Sequence, residues 1–84
     1  MEENRIALIG IIVENSENVP KTNDLLHEYS SYIVGRMGIP YRNRGISIIS
    51  ITMDAPETVI NALCGKLGQL SGVSVKSMLA KTGK

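Results

Sequence analysis

The sequence contains no Trp and no Phe, and its aromatic residues are three tyrosines, Tyr29, Tyr32 and Tyr41. Proteins that hold single-stranded nucleic acid stack bases on aromatic side chains, and this chain lacks the rings for such a platform. One cysteine, Cys64, excludes an internal disulfide and fits a reducing compartment. Excess charge is missing too: nine Lys and Arg against eight Asp and Glu leave a formal charge of +1, no footprint for binding nucleic acid through the whole surface. No apolar run approaches the roughly 20 residues that span a bilayer. Residues 1–5, MEENR, are polar and lead into a short apolar run without a small-residue cleavage site, so no secretory signal is expected. A cytoplasmic protein with no membrane partner is the expectation.

What the chain does have is a regular succession of elements. With 84 residues it reads as a single domain over 1–84, a size that buries only roughly 60–65% of the surface its unfolded form exposes. IALIGIIVE, at 6–14, is apolar and β-branched, too short for a typical helix, and predicts a central strand. ENSENVPK feeds a helix, with Asn18 as candidate cap and Pro20 in the first turn. Val19, Thr22, Leu26, Tyr29 and Ile33, widened by Leu25, then fall at helical spacing, and the helix is expected over about 19–31.

YIVGRMGIPYR carries Gly35, Gly38 and Pro40, a punctuation that excludes a helix and confines a strand to a sheet edge or a bulge. Asn43, Arg44 and Gly45 form a turn, and ISIISITM resumes as an apolar strand ending at Asp54. Asp54, Pro56 and Glu57 then predict a capped helix start. Val59, Leu63, Leu67 and Leu70, with Ile60 and Cys64 beside them, give its buried stripe. Gly65 and Gly68 imply close backbone packing or an early helix end. VSVKSMLA, with Val73, Val75 and Ser77 on one face, reads as a half-buried edge strand.

Strand, helix, strand, strand, helix, strand is the ferredoxin-like βαββαβ order, an α+β fold with a four-stranded antiparallel sheet and two helices on one face. The two continuous apolar runs belong at its centre. Two helices cover one side of a sheet, yet the first strand offers Ala7, Ile9, Ile11 and Val13 on one face and Ile6, Leu8, Gly10 and Ile12 on the other. The third strand divides in the same way, Ile46 and Ile48 against Ile49, Ile51 and Met53. An antiparallel sheet with a wet face shows polar residues there. A second subunit covering that face or extending an edge is therefore expected, giving a homo-oligomer, a dimer or tetramer.

Chemistry-bearing residues are sparse. His27 is the only histidine, off the apolar stripe of the first helix. It reads as a partly exposed helix residue, with a metal ligand or pH-sensitive contact as the sharper alternative. Cys64 reads as a small buried hydrophobe. No metal-ligand spacing exists within one chain, and no cofactor is expected. Arg36, Arg42 and Arg44 cluster around the hairpin, either as a solvated face or, in an oligomer, as an anion or phosphate contact. GRMG and GKLG lack the placement and pattern of phosphate-binding loops. No nucleophile, base and orienting group converge.

The segments HEYSSYIVGRMGIPYR, GISIIS and above all ALCGKLGQLSGVSVK resemble the small proteins of the iron-only hydrogenase system regulator family, over nearly the whole chain. That family is in turn similar to the ACT-like C-terminal domain of the nickel-responsive regulators. The resemblance implies an ACT-like, ferredoxin-like fold that assembles through its sheets, with a role in transcriptional or other control of the hydrogenase system. The nickel regulators hold their metal with three histidines and a cysteine. His27 matches the first of these, but Gly38, Pro40 and Ile46 stand near the later ligands, so the nickel site is not expected. Those regulators read DNA through an N-terminal ribbon-helix-helix domain, whereas this chain has only MEENR before its first strand, and direct DNA binding is not expected.

The leading expectation is a non-enzymatic, oligomeric regulatory module that senses a small ligand or binds a regulatory protein at its subunit interfaces. Asn15, Ser16 and Asn18, in the loop after the first strand, with His27, Arg36 and Arg42, are its candidate contacts. Two alternatives differ in class. One is a DNA-binding regulator using Arg36, Arg42 and Arg44. The other is a small ferredoxin-like enzyme with an intersubunit site, for which only His27 and Cys64 are available.

Overall fold

Strict alternation of buried and exposed side chains begins within β1 (Asn4–Val13), which sends Ala7, Ile9, Ile11 and Val13 into the core and leaves Ile6, Leu8, Gly10 and Ile12 outside. The computed structural model describes residues 3–81. α1 (Val19–Glu28), β2 (Ile33–Tyr41), β3 (Ile46–Pro56), α2 (Glu57–Gly68) and β4 (Val73–Leu79) follow. The four strands form one antiparallel sheet in the order β2-β3-β1-β4. This is the ferredoxin-like βαββαβ fold, with the two apolar runs at the centre and the Pro-bearing and alternating strands at the edges, as the sequence predicts.

The core lies between the sheet and the helices. Ile49, Ile51, Met53 and Ala55 of β3 join the inner row of β1, and Leu26 of α1 with Ile60, Leu63 and Leu67 of α2 close over them. The helices are linked by Lys66, whose Nζ stands 5.1 Å from the centre of the Tyr29 ring and 3.9 Å from Glu28 Oε1.

Several local expectations are corrected. α1 ends at Glu28, and a separate 3₁₀ turn at Ser30–Tyr32 carries the chain into β2. Asp54 does not cap α2: β3 continues to Pro56, because Asp54, Ala55 and Pro56 remain in register with Ile6, Arg5 and Asn4. Glu57 opens α2 and accepts from Arg5 Nη1 at 3.3 Å, while the Arg5 guanidinium also donates to the Ala80 carbonyl, clamping three elements together. Asn18 occupies the N-cap position of α1 but makes no cap bond, its side-chain amide donating instead to the Ser71 carbonyl. Gly65 has open space where a Cβ would stand, so close packing does not explain it, and Gly68 is the last helical residue. The irregularity of β2 falls between Ile33 and Gly35 rather than at Pro40.

Candidate functional site

The outer face of the sheet collects most of the large apolar side chains that the core leaves out. Ile6, Leu8 and Ile12 come from β1, Ile48 from β3, Met37, Ile39 and Tyr41 from β2, and Met78 from β4. Register makes them one surface: Ile39 is opposite Ile48, which is opposite Ile12, and Leu8 is opposite Met78. Between them Gly10, flanked by Ser50 and Lys76, has no side chain to offer, and a hollow of about 450 Å³ opens over the sheet centre. Asp54 and Lys76 are the charged residues whose register places them on this face. The sequence shows the contributions of β1 and β3. Those of β2 and β4 were missed, although period-two spacing in Met37, Ile39 and Tyr41 carries the signal.

The candidate residues named from the sequence lie elsewhere. Asn15 accepts from the Glu17 backbone N–H at 3.0 Å and caps the 3₁₀ turn Ser16–Asn18. Asn18 is buried in its bond to Ser71. His27 is exposed in the last turn of α1. Arg36 registers with the buried Ile51, so it belongs to the helix side of the sheet, where its Nη2 donates to Asn23 Oδ1 at 3.0 Å. Arg42 and Arg44 sit in the turn between β2 and β3, six or more residues beyond Arg36. The three arginines thus do not form one cluster, but Ser16 and Arg42 share a hollow of about 220 Å³ beside α1, and Arg36 lines an adjoining one of about 210 Å³.

Cys64 is half-buried and turned toward Ser77 of β4. Burial pushes its thiol above the ordinary range, and the hydrogen bond with Ser77 pulls the other way more weakly. A thiol held protonated is a poor nucleophile. Among the described residues no three His, Cys, Asp or Glu side chains come together as a metal site, and no helix is long and apolar enough to cross a membrane.

The profile of the family described as "TM1266-like: Iron-only hydrogenase system regulator, putative" matches residues 5–77. The chain belongs to this family. A regulatory role is what that membership supports. Among solved structures the chain is similar to "uncharacterized protein TM1266 from Thermotoga maritima", with a TM-score of 0.90 and 38% identity, covering 94% of this chain and 100% of that one. No match is found among curated proteins.

Proposed function

We propose that this chain is a non-enzymatic regulatory module of the iron-only hydrogenase system that works in the cytoplasm as a homo-oligomer, its open sheet face packed on that of a second copy, and responds to a small ligand or partner protein. The regulatory part rests on the family. The oligomeric part rests on one observation: eight large apolar side chains on one sheet face, each between 36% and 64% exposed. At roughly 200 Å² for a fully exposed large side chain, they present on the order of 700–800 Å² of apolar surface, against a few hundred Å² on a typical monomer and about 800 Å² per partner in a standard interface. A two-fold axis would place the same surface on both subunits, and two sheets packed face to face would bury both apolar rows.

Light scattering on the full chain at micromolar concentration tests the assembly. A mass of two or four chains is expected, and a strictly monomeric mass overturns it.

A further inference from the structure

The helix side of β2 is open. Arg36, Gly38 and Pro40 face the same way as Ile51, Ile49 and Ser47 of β3, yet all three are exposed, while Ile49 and Ile51 beside them are buried. Gly38 has no side chain and Pro40 a short ring, so nothing on this part of β2 rises to meet α1. A groove remains between the first turns of α1 and the β2–β3 hairpin. Its two hollows, about 220 and about 210 Å³, share Val19, Pro40 and Ser47 as a common floor and wall.

The charge in this groove is of one sign. Arg42 lines one end and Arg36 the other, and among the described residues no carboxylate lines either hollow. Asn23 takes one Nη2 proton of Arg36 at 3.0 Å and so draws the guanidinium across the groove, leaving its other donors for a ligand. Ser16, near Arg42, and Ser47, between the two ends, add hydroxyls, while Val19 and Pro40 give the middle an apolar wall. Arg36 lies in β2 and Arg42 in the first position of the turn after it, so their Cα atoms stand on the order of 20 Å apart at the two ends of the groove, a span that their long side chains shorten when they reach toward one another. The combined space is of the order that small-molecule sites occupy, about 300–1,000 Å³.

We propose that this groove binds a small elongated organic dianion, carboxylate or phosphate at each end and apolar between, with Arg36 and Arg42 each taking one anionic group. The guanidinium fork suits either head group, because both present paired oxygens to parallel N–H donors. The site supplies the ligand for the regulatory reading above but does not depend on assembly, since it lies on the helix side of the sheet. It stands whether or not the protein proves monomeric.

The test is amide chemical-shift titration of the ¹⁵N-labelled full chain with suberate and with 6-phosphonohexanoate, against octanoate and sodium chloride at matched ionic strength. Saturable shifts at Ser16, Asn23, Arg36, Gly45 and Ser47 are expected with at least one dianion. Binding should be about tenfold or more weaker with octanoate, and similarly weakened in each of Arg36→Gln and Arg42→Gln, whose exposed positions leave the fold's spectrum dispersed. Preference for one dianion identifies the head group. Absence of groove shifts with both dianions, equal shifts with octanoate or salt, or affinity unchanged in both variants overturns the proposal.

Discussion

Ile12 of β1 and Ile48 of β3 are direct cross-strand partners at the middle of the sheet, yet they keep 42% and 36% of their surface exposed. Their immediate chain neighbours, Ile11 and Ile49, are buried on the other side. The two faces of one strand pair therefore make opposite predictions. Ile12→Glu should leave the circular dichroism spectrum of the folded chain unchanged while weakening association by at least about 100-fold, since a symmetric interface loses the side chain twice at roughly 1.5–3 kcal/mol each. Ile11→Glu should prevent folding, because it places an unpaired carboxylate in the core. Sedimentation velocity on both variants checks the contrast, and an Ile12→Glu protein that still assembles would remove the open face as the interface.

Gly72 and Asn15 set a backbone constraint. Gly72 has φ +73°, and a Cβ there would lie 2.7 Å from the Asn15 Cβ and 3.0 Å from its backbone nitrogen. The Gly72 carbonyl also accepts from the Glu14 N–H at 2.7 Å, so the two loops cannot easily part. Gly72→Ala is expected to cost about 2 kcal/mol or more from strain and clash together. Gly65→Ala, in the interior of α2 with open space around it, should instead stabilise by about 0.5–1 kcal/mol. Urea denaturation of both variants should give changes of opposite sign.

How much of this was legible depends on whether the deciding partner is near in sequence. The two-faced character of β1 and β3 follows from period-two spacing, and the structure reproduces the division of Ala7, Ile9, Ile11 and Val13 from Ile6, Leu8, Gly10 and Ile12. The edge position of β2 follows from Pro40. The start of α2 was misread, because a good local cap signal at Asp54 yields to ladder pairing with Ile6, a contact across 48 residues. The groove was not legible at all: Gly38 and Pro40 signalled an edge strand, but only the position of α1 shows that they leave space beneath it. The candidate contacts were dispersed for the same reason. Ser16, Arg36 and Arg42 reach the groove, Asn18 serves the loop packing, and His27 lies on the exposed side of α1.

Cys64 predicts a pH dependence. Burial raises its pKa in the fold, so the protonated thiol is the favoured form. Its contribution to stability is fully present below the pKa of the unfolded thiol and is lost as pH rises through the folded value, which places the loss from roughly pH 8.5 upward. Cys64→Ala should flatten this alkaline limb in melting curves recorded against pH. In the unsubstituted chain, reaction with a disulfide reagent at pH 8 should run several-fold slower than for free cysteine; equal rates would mean that the thiol is not held back by its surroundings.

Asn18 separates two roles that the sequence merges. As a helix cap it would be replaceable by Ser, which accepts from the same early N–H groups. In the structure its amide instead donates to the Ser71 carbonyl, tying the loop before α1 to the loop before β4, while Thr22 Oγ1 donates to the Asn18 carbonyl at 2.7 Å. Ser is too short to make that reach. Asn18→Ser and Asn18→Ala should therefore destabilise equally, by about 0.5–1.5 kcal/mol, because each gives up the same part-buried hydrogen bond. Asn18→Asp should cost more, since a carboxylate would face the carbonyl oxygen that the amide now satisfies. Denaturation midpoints for the three variants decide the matter: rescue by Ser would return Asn18 to a capping role, and a shared loss in Ser and Ala assigns its contribution to the bond between the loops.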